Sequence, residues 1–125
     1  MADRNHSRLV AIVEDDASVR GALLGLMRAA GQSARAFASA EEFLQSDAPE
    51  RTACLVADIR MPGLSGLELQ ADLNARGAGI PLIFITAHGD AETRRRALAA
   101  GAVRFFDKPF DDEALLEAVR AATGT

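Results

Sequence analysis

The sequence has little that would cross-link a fold through disulfides or metals, cross a membrane or attract nucleic acid. Its single cysteine, Cys54, lies inside an apolar run, which is typical of a buried core residue and not of a disulfide or metal ligand. No apolar stretch approaches membrane-spanning length, and the first residues lack the apolar segment of a signal peptide. The formal net charge of −4 gives no general attraction to nucleic acid. We therefore expect a cytoplasmic protein that binds neither membrane nor nucleic acid directly.

Lysine is also scarce, because the 14 basic residues include only Lys108, so the position of that lysine needs a specific explanation. At 125 residues, with 49% hydrophobic and 26% charged residues, the chain is long enough to bury a core as one globular domain. The sequence contains no internal repeat, low-complexity tract or linker. We predict one domain over residues 1–125, and residues 123–125 could begin a linker to a further domain outside this sequence.

Strand and helix patterns alternate along the chain. Apolar, β-branched runs predict strands at residues 8–13, 32–37, 53–57, 80–86 and 102–106. Five amphipathic segments predict helices, opened by capping residues at Ser39, Ser65, Asp90 and Asp111 or closed by a glycine. This alternation predicts an α/β fold with a doubly wound, flavodoxin-like parallel sheet of five strands in the order 2-1-3-4-5, with five helices and right-handed crossovers.

Reactive side chains follow four of the predicted strands. Because parallel strands all end at one edge of the sheet, these side chains should meet there: Glu14, Asp15 and Asp16 after the first strand, Asp58 after the third, Thr86 after the fourth and Lys108 after the fifth. A like-charge pair at about 4 Å costs about 4 kcal/mol at an effective dielectric near 20. Such a cluster must take up a proton, bind a cation or move apart.

Carboxylate oxygens with room for water are the ligands that Mg²⁺ prefers. A magnesium site beside Asp58, with Thr86 and Lys108 opposite, indicates phosphoryl transfer. Asp58 would be the nucleophile that forms an acyl phosphate. The metal, the Thr86 hydroxyl and the Lys108 ammonium would each contact one phosphoryl oxygen.

The sequence resembles the receiver domain of two-component response regulators over essentially its whole length. The matching segments are IVEDD (12–16), DIRMPGLSG (58–66), FITAHGD (84–90) and FFDKPF (105–110). The segment AHGD (87–90) and residues 37–44 are similar to the corresponding segments of the FixJ-like branch of transcriptional regulators. The resemblance implies that a sensor histidine kinase phosphorylates Asp58, and that Thr86 and Lys108 contact the phosphoryl group. Any output domain would lie outside this chain.

The resemblance also implies a ligand set for Mg²⁺. The acidic pair of the family directly follows the strand valines, which selects Glu14 and Asp15 over Asp16. Asp15 and Asp58 are expected to bind the metal directly, and Glu14 through water. The backbone carbonyl of Arg60 is the expected third protein ligand.

A switch is the third implication. The family couples its threonine, here Thr86, to an aromatic residue on the fifth strand, here Phe105 where many members have tyrosine. The ring of Phe105 is expected to turn inward on phosphorylation and to reshape the surface of helix four, strand five and helix five. That surface is expected to control homodimerisation or an output partner. The resemblance further implies a cis peptide bond between Lys108 and Pro109.

Simpler roles remain open for each of these residues. Asp15 or Asp16 could cap a helix, Asp58 could be a turn acid, Thr86 a strand end and Lys108 a solvated lysine. His88 could be a general base, although an exposed loop residue that tunes water access fits better. The arginines at 94–96 could be a solvated helix face, or could meet acidic side chains across a symmetric contact: Asp107, Asp111, Asp112 and Glu113.

Three other functions are open as well. A Mg²⁺-dependent phosphatase with an aspartyl nucleophile shares the chemistry, but the second acid that such enzymes place two residues after the nucleophile is Arg60 here. A receiver-like module could act by protein contact without phosphorylation, although Glu14, Asp15 and Lys108 argue against it. A flavodoxin or nucleotide-binding protein shares the architecture, but the sequence has no glycine-rich phosphate loop.

Overall fold

The predicted parallel sheet is confirmed by a computed structural model that describes residues 9–87 and 89–124. Five parallel strands lie in the order β2-β1-β3-β4-β5, with β2 at one edge. The strands are β1 (Leu9–Val13), β2 (Ala34–Phe37), β3 (Thr52–Asp58), β4 (Leu82–Thr86) and β5 (Arg104–Asp107). The helices are α1 (Ala17–Ala29), α2 (Ala40–Gln45), α3 (Gly66–Ala75), α4 (Ala91–Ala99) and α5 (Asp112–Thr123), with a 3₁₀ turn at Ala48–Glu50. Across residues 9–87 and 89–124, none of the helices has the length and apolar character needed to cross a membrane.

The three central strands are buried on both faces, because helices cover both sides of the sheet. One core cluster contains Leu55 and Phe84, and the other contains Val56 and Ile83. Cys54 belongs to the second cluster, and burial raises the pKa of its thiol to about 12. The prediction that this cysteine is a core residue is therefore confirmed.

The helix starts follow the predicted capping residues. The Asp90 carboxylate accepts a hydrogen bond from the Thr93 N–H at 2.7 Å. Ser65 and Glu68 make both hydrogen bonds of a capping box. At Ser39 the hydroxyl oxygen accepts from the N–H of Glu42, which is the first of those two bonds. These local contacts mark where α2, α3 and α4 begin.

Three strands begin later than predicted, at Ala34, Leu82 and Arg104 instead of residues 32, 80 and 102. The N–H groups of Gln32 and Ala102 donate to Met27 and Ala97, so both residues belong to the turns that end the preceding helices. Before β4, Pro81 has no N–H to donate to the ladder.

Candidate phosphoryl site

Three carboxylates meet at the carboxyl edge of the sheet. Oxygen atoms of Glu14, Asp15 and Asp58 all lie within 4.8 Å of one another. The cause is the strand order, because β1 and β3 are neighbours with Val13 opposite Ala57. Asp16 lies outside this cluster and caps α1, accepting a hydrogen bond from the Val19 N–H at 3.1 Å.

Lys108 reaches into the same cluster from the loop after β5. Its Nζ donates to Glu14 Oε1 at 3.0 Å and to Asp58 Oδ2 at 3.1 Å. We expected this ammonium on the side of Asp58 away from the acidic pair, and the structure instead has it bridging Asp58 and Glu14. Burial alone would lower the pKa of Lys108, but the hydrogen bonds to Glu14 and Asp58 outweigh that effect and raise it. The lysine is therefore held as a cation.

Glu14 is the most deeply buried acid of the cluster, with 1% of its surface exposed. Burial raises its pKa, against the lowering effect of the hydrogen bond from Lys108. Its second oxygen accepts from the N–H of Asp16 at 3.1 Å. Both oxygens of Glu14 thus have donors within the chain, which suits a carboxylate that contacts a metal through water.

The donor set fits a divalent cation. Three carboxylates and one ammonium leave an excess of two negative charges at one point of the sheet edge. Asp15 is exposed to solvent, so an ion can approach from that side. Hard oxygen ligands with access to water are the preferred surroundings of Mg²⁺.

Asp58 is held in place by the chain that follows it. Its Oδ1 accepts a hydrogen bond from the Arg60 N–H at 3.2 Å, and 7% of its surface is exposed. Gly66, the first residue of α3, packs against the end of β3, where an added Cβ would lie 2.9 Å from the Cα of Ile59 and from the ring of Phe84. Gly66, the second glycine of the motif DIRMPGLSG, therefore lets α3 begin directly behind the carboxylate.

Thr86 on β4 and Phe105 on β5 both lie close to Gly89, although in the ladder Phe105 is opposite Phe84 and Thr86 is opposite Asp107. Thr86 is 1% exposed and Phe105 is 6% exposed. The Phe105 ring packs edge-on against Phe84, with the centroids 6.4 Å apart, and the guanidinium of Arg94 lies over it at 5.6 Å. Phe105 thus occupies the inward of the two positions that the sequence predicted. His88, whose role was left open above, lies outside the described residues.

The arginines of α4 have different surroundings in the structure. Arg94 covers Phe105, whereas Arg95 forms an ion pair with Glu92 on the same helix at 2.7 Å. That pair is more than 60% exposed on both sides, so it contributes little to stability. A symmetric contact between these arginines and acidic side chains remains a prediction.

Three contributors to the site were not predicted from the sequence. Gly89 packs against Thr86 and Phe105, and an added Cβ would lie 2.7 Å from the Phe105 ring. Gly66 lies behind Asp58, and Glu41 on α2 contacts the loop after Asp58. Both glycines belong to the quoted motifs, so their presence there was the available signal. Glu41 gave no such signal, because the capping pattern from Ser39 accounted for the acids of that helix turn.

Comparison with known proteins gives a consistent assignment. The family model of the response regulator receiver domain matches residues 10–120. Nodulation protein W of Bradyrhizobium diazoefficiens is 52% identical over 115 residues, which are 92% of this chain and 51% of that protein. The transcriptional regulatory protein FixJ of Azorhizobium caulinodans is 44% identical over 115 residues, which are 92% of this chain and 54% of that protein. The chain spans about half the length of the curated relatives it matches.

Solved structures agree with the sequence relatives. FixJ-N superposes with a TM-score of 0.84 at 40% identity, covering 93% of each chain. The response regulator StyR superposes with a TM-score of 0.86 at 48% identity, covering 93% of this chain and 59% of that chain. The predicted fold and the resemblance to the FixJ-like branch are both confirmed.

Proposed function

This chain belongs to the response regulator receiver domain family of two-component systems, and we propose that it accepts a phosphoryl group on Asp58 from a sensor histidine kinase in the cytoplasm. The observation that carries the proposal is the meeting of Asp58 with Glu14, Asp15 and Lys108 at one sheet edge. The proposed receiver domain occupies residues 1–125.

The proposed reaction is a nucleophilic displacement at phosphorus. A carboxylate oxygen of Asp58 attacks the phosphorus atom of the kinase phosphohistidine and forms the acyl phosphate bond. The P–N bond breaks, and the imidazole nitrogen keeps its electron pair. Lys108 already donates to Asp58 Oδ2, so its ammonium is in place to balance negative charge on the phosphoryl oxygens.

Asp15 and Asp58 would hold Mg²⁺ together with the backbone carbonyl of Arg60, and Glu14 would contact it through water. The ion supplies positive charge to the phosphoryl oxygens. The three carboxylates favour its binding, because they exceed the single ammonium by two negative charges. Glu14 contributes a second role by orienting Lys108 through their 3.0 Å hydrogen bond.

The output of the proposed reaction is a change at the surface of α4, β5 and α5. Phosphorylation replaces the single negative charge of the Asp58 carboxylate by about two on the phosphoryl group. The Thr86 hydroxyl would then move toward the phosphoryl group and draw the loop before α4 with it. We propose that this favours the inward position of Phe105 and a surface that binds a second copy or an output partner.

The test is the intact mass of the protein after treatment with acetyl phosphate and Mg²⁺. The wild type should gain one phosphoryl group, and Asp58→Asn should gain none. Chelation of Mg²⁺ should prevent the gain in the wild type. Equal gains by both proteins would contradict the proposal, and rapid turnover of a small phosphoester would favour a phosphatase instead.

A further inference from the structure

The loop after Asp58 is connected to α2 by one side chain, Glu41. Its Oε2 accepts a hydrogen bond from the backbone N–H of Leu64 at 2.9 Å, across 23 residues of sequence. Its Oε1 is buried and has no hydrogen-bond partner among the described residues. A buried carboxylate oxygen without a donor reduces stability, so this contact is not explained by the stability of the fold alone.

The loop itself, residues 59–65, has its other backbone tethers near its ends. The Arg60 N–H donates to Asp58 Oδ1 at 3.2 Å, and the Gly66 N–H donates to the Ile59 carbonyl at 2.8 Å. Glu41 holds the loop at Leu64, next to Gly63. That glycine has a φ of +76°, and an added Cβ would collide with the Glu41 carboxylate. The positive φ favours glycine at residue 63, and the missing Cβ lets the Glu41 carboxylate pack against the loop there.

We propose that Glu41 is a positioning residue for this loop and, by restricting the Arg60 carbonyl, strengthens the binding of a divalent cation. The inference rests on the proposed function, in which that carbonyl is a metal ligand. The mechanism is preorganisation: a loop that is already ordered loses less conformational entropy when the ion binds. Glu41 acts through the Leu64 N–H and does not touch the metal or the phosphoryl group.

Three substitutions of Glu41 separate the effect of its side-chain length from the effect of its negative charge. Glu41→Ala removes the acceptor, Glu41→Asp keeps the charge but shortens the side chain by one methylene, and Glu41→Gln keeps the length and one acceptor oxygen. Glu42→Ala is the matched control, because Glu42 is an exposed acid in the same first turn whose side chain makes no hydrogen bond or ion pair with residues 9–87 and 89–124. Mg²⁺ affinity is measured by titration calorimetry on the unphosphorylated protein. Hydrogen exchange of the Leu64 amide is measured on the same samples.

Loss of one hydrogen bond corresponds to about a five- to tenfold change. Glu41→Ala and Glu41→Asp should weaken Mg²⁺ binding by about this factor and speed exchange at Leu64 by a similar factor. Glu41→Gln and Glu42→Ala should stay within about twofold of the wild type, since neither removes the acceptor at Leu64. If Glu41→Asp bound Mg²⁺ like the wild type, a charge effect would replace the positioning role.

Different results would overturn the role of Glu41 and the proposed Mg²⁺ site. Unchanged Mg²⁺ affinity in Glu41→Ala, with normal binding by the wild type, would overturn the role of Glu41 and leave the proposed function intact. No Mg²⁺ binding by the wild type would overturn the proposed metal site. In that case unchanged Leu64 exchange in Glu41→Ala would also reject the loop contact.

Discussion

Replacing Asp15 by asparagine should make the metal-free protein more stable. Asp15 lies within 4.8 Å of both Glu14 and Asp58, measured between carboxylate oxygens. At that separation each like-charge pair costs about 1 kcal/mol at the dielectric of water and about 3.5 kcal/mol at an effective dielectric of 20. Because Asp15 is exposed, the lower value applies, and two pairs give about 2 kcal/mol of repulsion.

Part of this gain is offset by the lost charge near the start of α1, which is worth about 0.5 to 1 kcal/mol. The net effect is about 1 kcal/mol, or a rise in Tm of about 4 °C for a chain of this size. The same substitution should remove the response to Mg²⁺. In the wild type, Mg²⁺ at ten times its Kd should add about 1.4 kcal/mol of stability, whereas Asp15→Asn should gain little.

The assay is thermal unfolding with and without Mg²⁺, with sodium chloride added to match the ionic strength. Asp16→Asn is the matched control, because Asp16 caps α1 outside the cluster and asparagine caps equally well. It should keep both the Tm and the Mg²⁺ response of the wild type. The reasoning is refuted if Asp15→Asn has a lower Tm without Mg²⁺, or if Asp16→Asn is the variant that loses the metal response.

Three further substitutions test other parts of the site. Lys108→Met should reduce the free energy of unfolding by about 2 kcal/mol at pH 7, because it leaves the buried Glu14 carboxylate unpaired. The pKa of Glu14 is raised in the folded state, so its favourable contribution is present at low pH and lost as the pH rises; the deficit of Lys108→Met in urea unfolding should therefore be smaller at pH 5 than at pH 7. Gly89→Ala should cost about 1 to 3 kcal/mol, since the added Cβ would lie 2.7 Å from the Phe105 ring. Thr86→Ala should still be phosphorylated, but the NMR shifts of Phe105 should respond weakly to phosphorylation.

Each of these three has an outcome that would contradict it. An equal deficit of Lys108→Met at both pH values would mean that Glu14 is not the group left unpaired. Gly25→Ala is the control for Gly89→Ala, because an added Cβ there meets nothing within 4 Å; it should stabilise α1 by about 0.5 to 1 kcal/mol. If Gly89→Ala left the free energy of unfolding unchanged, the loop before α4 would have to move aside for the added Cβ without cost. A full spectral response in Thr86→Ala would disprove the coupling of threonine to the ring.

The strand order and the cluster at the sheet edge could be predicted because both follow from local pattern. Apolar runs such as the one around Leu55 predict buried strands, and parallel strands bring their ends to one edge. The separation of Asp16 from the cluster also has a local cause, since its carboxylate caps α1. These features depend on a few neighbouring residues and on one topological rule.

Other features depend on side-chain packing between distant segments. Lys108 and Glu14 are 94 residues apart, and their hydrogen bond requires the lysine to reach across the ends of both β4 and β3. The contact of Glu41 with Leu64 depends on where α2 lies against the sheet. The inward position of Phe105 depends on the contacts of its ring with Phe84 and Arg94, which the hydrophobic pattern does not determine. The late start of β5 was also missed, because Ala102 is apolar like a strand residue but belongs to the turn that ends α4.

The most direct test of the account locates the phosphoryl group in the chain. Borohydride reduces the acyl phosphate of an aspartate to homoserine, and peptide mass spectrometry then identifies the converted residue. After treatment with acetyl phosphate and Mg²⁺, homoserine should appear at residue 58 alone. Homoserine at residue 15 or 16, or none after the protein has gained phosphoryl mass, would contradict the assignment of Asp58.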